Sequence, residues 1–243
     1  MILSSRPPLR SALASPGSKS RYVRRLFSTI ADRYDLITVL LSYGQDRRWK
    51  RRVAELTAAG PGTRALDLAC GTGDIAFAVA ARGARVVGLD ITHRMVQLAQ
   101  LKAPAPGPAP SFVTGDMMAL PFRDDAFDVV TTGYGIRNVP EISAAIAEMR
   151  RVLKPGGTLL SLDFDRPLNP LVRGVYLGYL TAVGSALGLA LHRDPDTYRY
   201  IPESIRRYPG AGEVNAMFRR QGFSASVHLP VLGGLMAIHH ARK

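Results

Sequence analysis

With 243 residues, 47% of them hydrophobic and 21% charged, the chain is large and apolar enough for one globular domain with a substantial core. A single cysteine, Cys70, excludes a disulfide framework, and without a CxxC or HExxH pattern no metal is expected. The net charge of +13 exceeds what a fold requires and points to a polyanion, nucleic acid or an anionic lipid surface, with a merely soluble basic face as the plainer alternative.

The chain opens on a basic stretch: Arg6, Arg10, Lys19, Arg21, Arg24 and Arg25 precede the first acid, Asp32. Residues 1–19, rich in Ser, Pro, Ala and Arg, are expected to be a disordered basic leader. No long apolar run follows the early arginines, which argues against a secretory signal. The composition also suits an organelle transit peptide, although the prolines oppose a clean amphipathic helix. Residues 20–243 read as a single domain. It starts with helices over 20–57, broken in places and carrying a second basic cluster, Arg47-Arg48-Trp49-Lys50-Arg51-Arg52.

From there strands and helices alternate: strand 64–69, helix 73–82, strand 85–90, helix 92–102, strand 111–115, strand 127–132, helix 140–153 and strand 157–163. Such alternation predicts an α/β fold, a parallel sheet with helices on both faces. The most informative segment is Asp67-Leu68-Ala69-Cys70-Gly71-Thr72-Gly73-Asp74, between the first strand and an alanine-rich helix. Two glycines two apart let the backbone turn sharply and approach a ligand, which the amides of the next helix then face. Asp90 ends the second strand, at the spacing expected of a carboxylate that accepts ribose hydroxyls; a cap for the helix after Thr92 is the alternative. The third glycine of a dinucleotide fingerprint is missing, since Asp74-Ile75-Ala76 follows Gly73. A ligand with a ribose and no phosphates, S-adenosylmethionine (SAM), fits better.

Ligands of an open parallel sheet bind at the carboxyl ends of its strands, so loops 70–74, 90–92, 115–118 and 132–138 should converge. Asp116 could accept from an adenine amino group and Met117 pack on its ring, or the pair could be a turn carboxylate and a core methionine. In Gly133-Tyr134-Gly135-Ile136-Arg137-Asn138 the glycines leave room for a reacting centre, and a buried Arg137 could hold a phenolate oxygen. A helix-start cap by Asn138 beside a surface arginine is the alternative. Pro104, Pro106, Pro108 and Pro110 mark a surface connector. Gly174–Leu191 carries no charge and touches the length of a membrane span. Its glycines, two tyrosines and flanking Arg173 and His192 favour a helical insert, placed over about 166–205, that covers the active site. Two strands, Phe223–Leu229 and Leu235–His240, end the chain around Gly233-Gly234.

The blocks Tyr34-Asp35, Ser42-Tyr43-Gly44-Gln45-Asp46-Arg47-Arg48-Trp49-Lys50, DLACGTGD, GDMMALPFRDDAFDVV, GYGIRNV, RVLKPGG and YRYIPESIRRYP resemble the ubiquinone/menaquinone biosynthesis C-methyltransferases of the UbiE type, from about residue 22 to the end. The resemblance implies a Rossmann-like class I methyltransferase: a seven-stranded, mostly parallel sheet with a C-terminal antiparallel strand. It implies SAM as donor, S-adenosylhomocysteine as product and a lipophilic polyprenyl quinol as acceptor, most of all demethylmenaquinol, with the benzoquinol precursor of ubiquinone as a second. Carried over, Asp67, Gly71, Thr72, Gly73, Asp90, Ile91, Asp116, Met117 and Gly133 bind the cofactor. Tyr134 and Tyr200 are expected to bind substrate, and Arg137, Asn138, Glu203 and His239 to form the catalytic set; the proton acceptor is a base, with Glu203 and His239 as candidates, or an ordered water. Two departures stand out: the family often has serine at Gly133, and Leu36-Ile37-Thr38 replaces its usual Met-Asn. The expected location is cytoplasmic, peripheral on the inner membrane face, held by an anionic surface, with a homodimer as a possible assembly and no nucleic-acid partner. The rivals are methylation of another small molecule, of RNA, or a SAM-binding assembly factor. Against RNA stand the missing Pro-Pro-aromatic and Pro-Cys motifs and a 7% aromatic content.

Overall fold

The computed structural model describes residues 9, 13, 15–42, 44–102 and 107–243. Its centre is a seven-stranded sheet ordered β3-β2-β1-β4-β5-β7-β6. The strands are β1 Arg64–Leu68, β2 Arg85–Asp90, β3 Ser111–Thr114, β4 Phe127–Gly133, β5 Leu153–Phe164, β6 Ala225–Val231 and β7 Met236–Arg242. Strands β1 to β5 pair in parallel, and β7 runs antiparallel to both β5 and β6. The order reverses between β1 and β4, and the loops leaving their carboxyl ends open a crevice there. This is the doubly wound sheet with the antiparallel strand that the sequence predicts.

Nine described helices surround it: α1 Pro16–Ile30, α2 Tyr34–Leu41, α3 Asp46–Leu56, α4 Asp74–Ala80, α5 His93–Leu101, α6 Ile142–Val152, α7 Pro170–His192, α8 Tyr200–Arg207 and α9 Ala211–Arg220. One sheet face packs on α6 and α9 through Leu66, Val130, Ile146, Met149, Val214 and Phe218. The other packs on α3, α4 and α5 through Val53, Ile75, Val79, Val96, Leu160 and Ile238. With helices on both faces β1 and β4 are buried almost throughout, the polar Asp67, Thr131 and Thr132 included. A third cluster, Val23, Leu26, Ile30, Ile37, Tyr198 and Tyr200, joins α1 and α2 to the segment entering α8, building a helical cap over the carboxyl end of the sheet.

Two boundaries and one helix differ from expectation. Order begins before residue 20: Ser15 and Ser18 form a reciprocal capping box and Pro16 sits in the first turn, so α1 starts at Pro16. The rest of the expected leader lies outside the described residues except Leu9 and Leu13, as does part of the proline connector. Strand β5 begins at Leu153, paired with Phe127, and the register then shifts so that Val129 meets Thr158: Lys154-Pro155-Gly156-Gly157 bulges out with Gly156 left-handed at φ of 75°. Helix α9, unforeseen, buries Ala211, Val214, Asn215 and Phe218 under a mostly charged exterior.

Helix α7 has the length and apolarity to cross a membrane, yet Leu177 and Leu180 pack with Ile205 of α8. Two of its glycines serve this packing. A Cβ at Gly184 would lie 3.2 Å from Tyr198 Cβ, and one at Gly188 would lie 2.5 Å from Asp194 O, so the chain returning through 194–198 needs both.

Candidate functional site

The turn after β1 is shaped by left-handed backbone: Ala69, Gly71 and Gly73 have φ of 49°, 54° and 89°. A Cβ on Gly73 would lie 2.8 Å from the Phe112 ring, so even alanine is excluded for two reasons. Gly71 N–H donates to Asp90 Oδ2 at 2.9 Å and Thr92 N–H donates to Oδ1 at 2.8 Å, tying the first two strand ends together. Burial raises the Asp90 pKa, opposed by these two donors. Asp67 accepts from Thr131 Oγ1 at 2.8 Å and Ala76 N–H at 3.1 Å, and burial pushes its carboxyl up to about 7. Cys70 is buried under Gly88 with its thiol pushed well up by burial, the state of an inert packing residue.

Two cavities meet above this turn. The first is lined by Gly71, Asp90, Ile91, Asp116, Met117 and Gly133 together with Ser20 and Val23 of α1. It continues into a small recess lined by Lys50, Asp67, Thr72 and Asp74. Eight of the nine sequence-predicted cofactor residues border these spaces; Gly73 instead sets the turn. The pattern suits SAM: carboxylates at Asp90 and Asp116 flank the apolar Ile91, Met95 and Met117, as a ribose beside a purine requires, and a polar recess follows. A Cβ at Gly133 would lie 2.8 Å from Ile75 Cδ1, so Ile75 takes the space where the family has serine. A Cβ at Gly135 would run into Thr132 Oγ1 and close the cradle from below.

The second cavity is walled by Leu26, Phe27, Ile30, Ile37, Trp49 and Phe164, with Tyr176 and Tyr179 of α7 and Tyr198 and Tyr200 near α8. Among its polar groups is Arg137, 5% exposed. The Arg137 Nε donates to Asp163 Oδ1 at 3.2 Å and Nη1 donates to Ser204 Oγ, while the guanidinium lies 5.2 Å over the Phe164 ring. Burial raises the Asp163 pKa and the Arg137 charge opposes this. Asn138 Nδ2 donates to Tyr134 O at 2.7 Å, and Tyr200 Oη donates to Asn138 Oδ1 at 2.9 Å. Phe27, Tyr34 and Tyr134 belong to both walls and form the boundary.

The structure therefore brings Tyr134, Arg137, Asn138 and Tyr200 together and leaves out the two expected bases. Glu203 faces away, held by Arg206 at 3.4 Å and Arg207 at 2.9 Å, and it lines neither cavity. His239 lies on the sheet face beneath α9, against Phe218 and His228; its Nε2–H donates to Ala211 O at 3.1 Å, and burial depresses its pKa to about 4. A strand's alternation sends His239 to that face while Ile238 packs on the other.

Sequence reasoning missed four residues. Lys19 Nζ donates to Arg137 O at 3.2 Å and Val139 O at 2.6 Å, pinning α1 to the loop, and burial together with the Arg137 charge lowers its pKa to about 8. Asp35 accepts from Thr72 Oγ1 at 2.5 Å and pairs with Lys102 at 2.9 Å, seating α2 on the glycine turn. Asp46 and Lys50 of α3 stand behind Tyr134: Tyr134 Oη donates to Asp46 Oδ1 at 2.7 Å, and Lys50 Nζ pairs with Asp46 at 2.6 Å and Asp74 at 2.9 Å. The signal was present in the Tyr34-Asp35 and Gln45–Lys50 blocks, but nothing in spacing says what they touch.

Fold and crevice define a class I methyltransferase. Its fold is shared with a Thermotoga maritima protein described as a SAM-dependent methyltransferase, possible histamine N-methyltransferase. The TM-score is 0.65 at 17% identity, over 91% of this chain and 99% of that one. The profile of the ubiE/COQ5 methyltransferase family matches residues 16–243, and the chain belongs to that family. It is 42% identical over 216 residues to the demethylmenaquinone methyltransferase of Thermus thermophilus, spanning 88% of this chain and 98% of that protein. It is 40% identical over 229 residues to the ubiquinone/menaquinone biosynthesis C-methyltransferase UbiE of Paracoccus denitrificans, covering 93% and 92% of the two.

Proposed function

We propose that this protein methylates a ring carbon of a polyprenylated quinol, demethylmenaquinol first and the benzoquinol precursor of ubiquinone second, with SAM as donor. The observation that carries the reading is the pair of adjoining cavities, one edged by carboxylates and one lined by aliphatic and aromatic side chains, with a shared wall at Phe27, Tyr34 and Tyr134. SAM supplies an activated sulfonium methyl. The residues then align, exclude water and raise electron density on the acceptor carbon.

In this reading Asp90 takes the ribose hydroxyls, and Asp116 and Met117 take the adenine. The methionine portion extends toward Asp67 and Thr72. Arg137, fixed by Asp163 and Ser204, presents positive charge to the oxygen of the quinol as it ionises. Asn138 and Tyr200 brace the loop that carries it. The aromatic cavity holds the ring and the first isoprenoid units.

The lipophilic acceptor also supports a peripheral place on an anionic membrane. Leu168, Leu171 and Val175, 95%, 75% and 67% exposed, form a stripe at the start of α7, whose Tyr176 and Tyr179 line the cavity. Arg166 and Arg173 border the stripe. Flotation with phosphatidylglycerol vesicles should carry the protein up at low salt; flotation indifferent to lipid charge would remove this element alone.

The function is tested by methyl transfer from labelled SAM to chemically reduced demethylmenaquinol and the benzoquinol precursor, side by side in detergent, with bulk RNA as a third acceptor. Label in a quinol is the expected outcome, and the ratio assigns the ring. Label confined to RNA would overturn the reading.

A further inference from the structure

We propose that Tyr134 and Asp46 form the proton relay of the reaction, an inference that rests on the quinol reading above. Methylating a ring carbon requires the neighbouring hydroxyl to give up its proton as the new bond forms. Neither Glu203 nor His239 reaches either cavity. Tyr134 borders both cavities and the recess, so it stands where the acceptor carbon must face the donor. Its backbone is left-handed, with φ of 59°, a conformation that a non-glycine residue holds at a cost and that clusters at working sites. The ring packs 5.4 Å from Phe164, which in turn carries the Arg137 guanidinium. Oxyanion holder and relay therefore share one wall.

The hydroxyl of Tyr134 points to a buried carboxylate, Asp46, whose other oxygen is paired with Lys50. Asp46 is 1% exposed and receives that hydroxyl at 2.7 Å. Burial and the Asp46 charge hold the Tyr134 pKa well above its usual value, so the phenol acts as a carrier and not as the final acceptor. Lys50 is the counter-charge. Burial alone would depress its pKa, but Tyr34, Asp74 and Asp46 outweigh this and keep it a cation. The titratable groups facing the pair are thus Lys50, Asp74, Tyr34 and Asp163.

The step balances. The quinol hydroxyl adjacent to the reacting carbon passes its proton to Tyr134 Oη, which passes its own to Asp46 Oδ1. The O–H electron pair moves into the ring, the ring carbon bonds to the methyl group, and the C–S pair stays on sulfur. The ring carbon then loses its hydrogen to water as a proton, and Asp46 returns its proton through Tyr134 to the oxygen. One proton is released per turnover and the relay is reset.

The test is the pH dependence of methyl transfer to reduced demethylmenaquinol, measured anaerobically from pH 6 to 10 with the wild type, Asp46→Asn, Tyr134→Phe and the double variant. Each single variant should lose about 100-fold in kcat, the low end for a general base, and the double should lose no more. With Asp46→Asn the rate should climb about tenfold per pH unit until the quinol ionises by itself, whereas the wild type stays flat over the same range. S-adenosylhomocysteine affinity by calorimetry should move less than threefold in all variants. Parallel pH profiles, or additive losses, would overturn the relay while leaving the quinol reading intact. A wild type that transfers to no quinol would remove both.

Discussion

The floor of the site and its cap are built on different principles. The floor is the carboxyl edge of β1, β2 and β4, where the residues expected to bind the cofactor sit within a few positions of a strand end and are held by ladder geometry and by Asp90 and Asp67 gripping backbone amides. The cap, α1, α2, α7 and α8, is held by single side chains reaching across long stretches of chain: Lys19 to the 137–139 carbonyls, Asp35 to Thr72 and Tyr200 to Asn138. A floor fixed by the sheet gives a rigid donor site. A cap fixed by a few polar clasps over an apolar interior opens at lower cost than the sheet beneath it.

Arg137 belongs to both regions, and changing it should have the largest effect. Its loop rises from β4, its partner Asp163 ends β5, and Ser204 lies on α8. Arg137→Ala strands a buried carboxylate and should cost about 3–5 kcal/mol, read as a drop in Tm, and should lower kcat sharply. Arg137→Ala with Asp163→Ala should regain much of the Tm and none of the activity. If activity returned with stability, the arginine would be a strut and not part of the chemistry.

Gly135→Ala strikes the floor alone. The new methyl group would crowd Thr132, Ala69 and Met117, an overpacking worth about 1–3 kcal/mol. SAM affinity measured by calorimetry should fall at least tenfold. Unchanged affinity would mean the crevice gives way more easily than its packing indicates. Lys19→Met strikes the cap alone, removing two charge-assisted hydrogen bonds at a net cost of about 1–2 kcal/mol. Hydrogen exchange of the 16–30 amides should accelerate while β1 and β4 stay protected, and the quinol KM should rise more than the SAM KM. Equal exchange in both regions would erase the distinction between them.

The same division explains what could be read from the residues alone. The floor is legible because strand, glycine turn, helix and acid follow in order, each with a local cause: Gly73 at its φ of 89° and Asp90 at a strand end. The cap is not, since Lys19 and Val139 lie 120 positions apart and Tyr200 and Asn138 lie 62 apart, so no periodicity links them. The family resemblance marked Asp35 and Asp46 as belonging to motifs without saying what they hold. Helix α9 escaped for another reason: its apolar face is narrow and ends in Arg219-Arg220-Gln221-Gly222, which reads as a loop.

His239 tests the division from the other side, since the resemblance placed it with the acceptor and the fold places it under α9. Its pKa in the folded protein, about 4, lies below the 6.5 of an exposed histidine because burial disfavours the cation. Between these values the unfolded chain holds the proton that the folded one refuses, so stability falls as pH drops from 6.5 to 4, by up to about 1.4 kcal/mol per pH unit from this group. His239→Leu should flatten that part of the acid limb, while at pH 8 it should cost only the hydrogen bond to Ala211 O, about 1 kcal/mol. Its kcat at pH 8 should stay within threefold of the wild type. A loss of 100-fold at unchanged Tm would return His239 to the chemistry and would mean that the sheet face beneath α9 communicates with the acceptor cavity.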